Sequence, residues 1–298
     1  MNDNKGLFYA IGAYTWWGFI PIFWKQLDHV GPVEIVMHRM VWSCVMVTAL
    51  IVMMGQWSEF KALFRDYKLL FRMAIASLLV SVNWGVFIWA VNTGRIVETS
   101  MGYFINPLIS VVFGVLFFSE RLRLTQVLAV GIAGCGVLYL IFGHGEFPLV
   151  ALSLAVTFAL YGVVKKSLSI PATHGLALET LLMFVPAAAY LIYVQINGAG
   201  IFGSNLATDS LLVLAGLFTL VPLLLFSAAA KMISLTALGM SQYIGPFLQL
   251  ALGVLVYNEP FGSDRMIAFG LVWIALIIYS VDQLNHRRKT RRALRMLS

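Results

Sequence analysis

Ten apolar stretches follow one another along this chain, separated by short polar breaks that hold most of its charged residues. The stretches run over residues 6–24, 32–54, 70–92, 99–118, 123–142, 147–164, 175–196, 209–230, 236–257 and 265–282. A bilayer's hydrocarbon core takes about 20 apolar residues per helix, so each stretch predicts one membrane-spanning helix. The first lacks a small-residue cleavage site and is as long as a spanning helix, so it is expected to be retained as helix one rather than removed as a signal peptide. No break is long enough to fold as a soluble domain. Any chemistry therefore has to sit among the helices.

A second pattern lies on top of the first. The segment AVNTGRIVETSMGYFINPLISVVFGVLFFSERL, Ala90 to Leu122, returns 139 positions later as AAKMISLTALGMSQYIGPFLQLALGVLVYNEPF, Ala229 to Phe261. Identities include Met101/Met240, Ile105/Ile244, Pro107/Pro246, the Gly114-Val-Leu run over Gly253-Val-Leu, and Glu120/Glu259. The repeat divides the chain into residues 1–145, residues 146–285 and a basic tail, 286–298. Each half holds five helices, an odd number, so the second half enters the membrane from the opposite side and the repeats are inverted. That arrangement places a binding cavity near the membrane midplane, as in secondary transporters.

Composition excludes a soluble protein: 60% of residues are hydrophobic and 11% charged, and the mean hydropathy is +0.88, too apolar for a solvated surface. Charge sets the orientation. With the N-terminus inside, Lys5, the Lys61/Arg65/Lys68/Arg72 group, Arg121, Arg123, Lys165, Lys166, Lys231 and the tail's six basic residues all fall in the cytoplasm. Only Lys25, Arg95 and Arg265 fall outside. The positive-inside rule then places both termini in the cytoplasm. The net charge of +7 belongs to the membrane's inner face and implies no nucleic acid. The tail HRRKTRRALR, 286–295, either binds anionic lipid head groups or only fixes topology. Cys44 and Cys135 fall within spans without motif partners and are expected to be free, packed thiols. The histidines make no metal-binding spacing, so no metal or other cofactor is expected.

Candidate chemistry is polar and intramembrane. Tyr103, Asn106 and Ser110 stack on one helix face, being three and four residues apart; their repeat equivalents are Gln242, Gly245 and Gln249. Pro107 and Pro246 follow directly, each removing a backbone donor and predicting a kink or local opening at matching depths. Arg39 is the costliest residue in the chain, roughly 10 Å below the outer end of its helix at about 1.5 Å per residue. It requires a partner: Glu34, Glu179, helix-end carbonyls or an anionic group on a substrate. Glu34 and His38 share a face with each other. Glu34 and Glu179 are read either as carboxylates at the start of their helices or, for one of them, as a proton carrier. Asn83 and Trp84 lie mid-span, with Tyr243 on the repeat helix, where they line a cavity for a flat or amphipathic solute or simply pack. Trp24 and Trp57 suit the membrane interface. The glycine run from Gly131 to Gly143 is read as a close helix contact rather than a nucleotide loop.

On these residues the chain resembles the drug/metabolite transporter superfamily with its paired EamA-type repeats. The aromatic-rich first helix ending near Lys25, the Pro32 to Arg39 spacing, GYFINPL with Glu120, and QYIGP with Glu259 look like the superfamily's RarD branch. The resemblance implies inner-membrane permeases for small organic metabolites, often exporters, with no ATPase. The expected partners are a small-molecule substrate and the bilayer, with no nucleic acid; the residues are compatible with a monomer and do not set the oligomeric state. A membrane enzyme acting on lipid-linked substrates would need convergent acid/base or metal groups, which the scattered carboxylates and histidines do not supply. A regulatory or scaffold protein that uses the repeat only for folding stands as the alternative.

Overall fold

A computed structural model describes residues 2–118, 122–144, 147–166, 168–233 and 241–297. Among these residues every regular element is helical. In chain order they are α1 (Asn2–Lys25), α2 (Pro32–Met53), α3 (Trp57–Ala62, followed by a 3-10 turn over Leu63–Arg65), α4 (Tyr67–Asn92), α5 (Ile96–Phe118), α6 (Leu124–His144), α7 (Leu149–Lys166), α8 (Ala172–Ile196), α9 (Leu206–Met232), α10 (Ile244–Ala251, prolonged by a π turn over Leu252–Val256) and α11 (Ser263–Leu297). Six of them are long and apolar enough to cross a membrane, namely α2, α4, α5, α8, α9 and α11, and shorter apolar helices lie over Leu124–Leu140, Leu149–Lys165 and Ile244–Val256. The α1 helix has the length but owes its lower hydropathy to its glycines, tyrosines and tryptophans. Glu120 and Met240 of the repeat lie outside the described residues, as do the side chains of the basic tail.

Local signals account for the helix starts. Pro32 opens α2 at a position where a missing N–H costs nothing. The Asp66 carboxylate accepts the amides of Lys68 and Leu69 at 3.0 Å to cap α4, and Asn205 caps α9 through the Ala207 amide. Hydropathy missed two features. The polar break after α2 folds into the short helix α3, whose Phe60 is buried. The last helix continues past residue 282 to Leu297, because RRKTRRALRML contains strong helix formers and no breaker.

The helices pack out of chain order. The α1 helix lies against α9 and α10; α2 against α8 and α9; α4 against α7 and α8; α5 against α7 and α10; and α6 against α11. Small residues set the closest approaches. A Cβ on Gly216 of α9 would lie 2.7 Å from the Trp42 carbonyl carbon and 2.9 Å from the Ser43 nitrogen of α2, and one on Gly102 of α5 would lie 2.8 Å from the Ala151 oxygen of α7. Backbone atoms cannot yield as a side-chain tip can. Gly216→Ala is therefore expected to destabilise the purified protein by about 1–3 kcal/mol, read as a fall in apparent Tm. Gly131→Ala, with nothing within 4 Å, is expected to leave Tm unchanged.

That contrast corrects the reading of the glycine run. Among the glycines of the run whose surroundings are described, Gly136 meets a neighbouring backbone, the Ala268 oxygen of α11 at 3.1 Å, whereas Gly131 and Gly134 face open space. Both cysteines are free, Cys44 buried as expected but Cys135 exposed, since it lies on the open side of α6. Trp24 is also no interfacial anchor: it is fully buried in a core to which α1, α2, α4, α5, α7, α8 and α9 contribute, with Arg39 5.3 Å from its ring centroid.

Candidate functional site

The costly arginine organises the best-defined polar centre. Arg39 is 5% exposed. Its Nε donates to the Thr219 hydroxyl of α9 at 2.8 Å, and its guanidinium lies 3.6 Å from the ring centroid of Trp84 and 5.3 Å from that of Trp24. Tyr103 of α5 stands within electrostatic range and packs against Phe87 and Phe158. Four helices, α1, α2, α4 and α9, thus supply the immediate shell, with α5 adjoining. Stacking on an indole face and a neutral hydroxyl hold the cation without cancelling its charge.

Neither carboxylate suggested as its partner is one. The Glu34 Oε1 accepts the Ile201 amide at 2.9 Å, which fastens the segment between α8 and α9 over the start of α2. Glu179 accepts from Lys165 at 2.7 Å and from the Tyr161 hydroxyl at 3.1 Å. Because α8 begins at Ala172 rather than Gly175, Glu179 lies two turns inside the helix and not at its positive end. Glu34 does lie in the first turn of α2. His38, one residue from Arg39, turns away to stack on Phe202 at 4.9 Å. Neighbours in sequence point about 100° apart on a helix, so His38 and Glu34 serve the segment after α8, and Arg39 the interior.

The polar face of the repeat helices divides in the same way. Gln249 donates to the Trp17 carbonyl of α1 at 3.2 Å, leaving its Oε1 buried without a partner. Asn106 is half-buried with its Oδ1 unpartnered, and Ser110 is exposed. Gln242 and Tyr243 form a turn ahead of α10, and Tyr243 packs on Phe104 within a second core around α6 and α11, apart from Arg39. Asn83 donates to the Leu154 carbonyl and the Thr157 hydroxyl of α7, both at 2.9 Å. The two prolines differ in setting. Pro107 lies inside a continuous α5, whereas Pro246 lies in the first turn of α10, where no donor is needed, and its carbonyl accepts the Ser100 hydroxyl at 2.8 Å. Local opening is realised in the second half only.

The repeat identities have a structural use. Both oxygens of Glu259 accept backbone amides at the start of α5, Ile96 and Val97, each at 2.8 Å. A carboxylate there meets the positive end of the helix and two of its unpaired donors. Gly253 makes the approach possible, since a Cβ would lie 2.9 Å from Val97 Cγ2. Thr219 and the paired amides of Ile96 and Val97 were invisible to sequence reasoning. A lone threonine in an apolar helix carries no spacing signal, and a backbone amide carries none at all.

Comparison with known proteins agrees with this architecture. Residues 4–142 match the EamA-like transporter family. The chain is 42% identical to Protein RarD of Streptomyces exfoliatus over 97% of its own length and 92% of that protein's. It is 40% identical to the uncharacterized transporter YojE of Bacillus subtilis strain 168, over 97% of this chain and 98% of the other. A protein crystal structure superposes with a TM-score of 0.61 over 93% of this chain and 97% of that one, at 16% identity, a likeness of fold alone. An all-helical, apolar chain with a charged centre among its helices and relatives of this identity along its whole length belongs to the EamA-like transporters of the drug/metabolite transporter superfamily, in the RarD branch.

Proposed function

We propose that this multi-pass membrane protein is a secondary or facilitative carrier that moves small organic metabolites or amphipathic compounds by alternating access, exporting them across the cell's inner membrane. Its moving parts are two inverted halves, residues 1–145 and 146–285, with both termini and the tail 286–298 in the cytoplasm. The observation that carries the reading is the helix packing. If α1, α2, α4, α5 and α6 are exchanged for α7, α8, α9, α10 and α11, the contact of α1 with α9 becomes that of α7 with α4. Likewise α1 with α10 becomes α7 with α5, and α2 with α9 becomes α8 with α4. The contacts α2–α8, α5–α10 and α6–α11 map onto themselves. Such exchange is what a two-fold axis between inverted repeats requires.

Polar pairs support the same topology, because each joins ends expected on one side. On the inner side Arg123 Nε donates to Asp282 at 2.7 Å and Lys165 meets Glu179. On the outer side Glu259 holds the start of α5 and His29 meets Thr208 at 3.1 Å.

Two measurements test the proposal. Single cysteines at Asn106 and Gln249, in a background with Cys44 and Cys135 replaced by serine, are expected to change their reactivity to a membrane-impermeant maleimide when solute is added, one rising as the other falls. Proteoliposomes are expected to show saturable flux for at least one solute in a panel of amino acids, purines and amphipathic drugs, with or without a proton gradient. Unchanging labelling together with no flux would favour a scaffold and sink the carrier.

A further inference from the structure

The centre around Arg39 holds a positive charge that the protein does not balance. Among the described residues no carboxylate oxygen comes within 4.0 Å of the guanidinium. The nearby acidic side chains have partners elsewhere: Glu34 the Ile201 amide, Asp209 the Gly203 amide, Glu179 Lys165 and Tyr161, and Glu259 the start of α5. Thr219 occupies only the Nε of Arg39, which leaves the outer edge of the guanidinium, its two terminal nitrogens, without a hydrogen-bonded partner from these residues. Two parallel N–H groups on that edge match the two oxygens of a carboxylate. A second unsatisfied donor belongs to the same shell. The indole N–H of Trp24, whose ring lies 5.3 Å from the guanidinium, is buried and has no acceptor. A buried donor left unpaired is costly, and a buried unbalanced cation costs more. Both costs are removed by one ligand that brings negative charge and acceptor oxygens together.

The surroundings set what the rest of that ligand is. Trp84 and Trp24 lie against the guanidinium, Tyr103 near it packs on Phe87 and Phe158, and Trp17 packs on the same core. These walls favour a flat apolar body. The lone cation at their centre repels an amine.

We infer that, within the carrier reading on which this rests, the transported solutes are organic carboxylates with an apolar or aromatic body. Arg39 receives the carboxylate, and the Trp24 N–H is the second donor. Organic cations and neutral isosteres are discriminated against by the same charge.

Calorimetric titration of the purified full chain with 2-naphthoate, 2-naphthamide and 2-naphthylmethylamine tests this, because the three share one ring system and differ in charge. Naphthoate is expected to bind roughly tenfold or more tightly than the amide, and the amine not measurably. The preference is expected to fall below about threefold in Arg39→Gln, to persist in Arg39→Lys, and to narrow in Trp24→Phe, which keeps a ring and removes the N–H. Where Arg39→Gln does not fold, the three ligands on the unaltered protein decide alone. Equal binding of acid and amide, tighter binding of the amine, no naphthoate binding at millimolar concentration, or an undiminished preference in a folded Arg39→Gln would each overturn the inference. Proteoliposome flux separates it from the carrier reading. Selective naphthoate binding without saturable flux of any solute sinks the carrier and leaves the anion site. Saturable flux of neutral or cationic solutes that Arg39→Gln does not alter sinks the anion site and leaves the carrier.

Discussion

Glu259→Ala is expected to be among the most damaging single substitutions in the chain. It removes the acceptor of both the Ile96 and Val97 amides from a site where the carboxylate is itself buried, at 7% exposure. Hydrogen bonds to charged groups contribute about 1.5–3 kcal/mol each, and the charge at the helix start adds roughly 0.3–1 kcal/mol. Partial rewetting of the two amides offsets some of this, so a net loss of about 3 kcal/mol is expected, seen as a lower Tm in detergent. Glu259→Gln keeps one acceptor oxygen and no charge, and should fall between. The contact also joins the end of α10 to the start of α5, and so one half of the chain to the other. About 3 kcal/mol is more than a hundredfold in a two-state equilibrium. If this contact holds the outer side closed in an alternating carrier, a cysteine at Met101, buried one turn below Val97, should become reactive from outside in Glu259→Ala. A Tm loss of under about 1 kcal/mol equivalent would show that water caps α5 equally well.

The helices were legible because hydrocarbon imposes its own length and polarity on any segment that crosses it. The predicted spans overlie the observed helices wherever residues are described, and the caps Asp66 and Asn205 start α4 and α9 three residues ahead of the spans that hydropathy marks. The lateral order was not legible. Whether α5 packs on α7 depends on Gly102 letting the Ala151 carbonyl approach, and a hydropathy profile treats that glycine like the unopposed Gly131. The same limit applies to Pro107 and Pro246. They match in sequence, but one is carried within a long helix and the other begins a short one after a turn, and the difference arises from neighbours rather than from the prolines.

For the site, Arg39 stood out because a charge in hydrocarbon needs a reason, but the sequence offered carboxylates as its partners, whereas the structure sets Trp84 and Thr219 against it. His38 was paired with Glu34 on one helix face, and Asn83 and Tyr243 were assigned to a cavity from their place along their helices. Depth does not fix rotation about the helix axis, and each of the three faces a different neighbour: Phe202, α7 and the core around α11. Glu179 illustrates the point from the other side. Its depth suggested a proton carrier or an ion-pair partner for Arg39, and rotation gives it to Lys165.

The Lys165–Glu179 pair is therefore expected to behave as structure, and asymmetrically. The Glu179 side chain is 5% exposed and that of Lys165 26%. Lys165→Met strands a carboxylate that cannot reach water, and breaking a buried pair in this way costs about 3–5 kcal/mol, reduced here to roughly 2 kcal/mol because the lysine is partly solvated. Glu179→Leu strands only a long, flexible cation whose ammonium can swing to the membrane surface, so about 1 kcal/mol is expected. The double variant should lie near the Glu179→Leu value, giving a coupling of roughly 1–2 kcal/mol between the sites. A transport assay separates this role from proton carriage. Loss of packing in Glu179→Gln lowers gradient-driven flux and solute counterflow in the same proportion as it lowers the amount of folded protein. Loss of a proton carrier abolishes gradient-driven flux and spares counterflow, and that second pattern would return Glu179 to the coupling machinery. The geometry favours the first, because Lys165 and Tyr161 already occupy the oxygens that a travelling proton would need to reach.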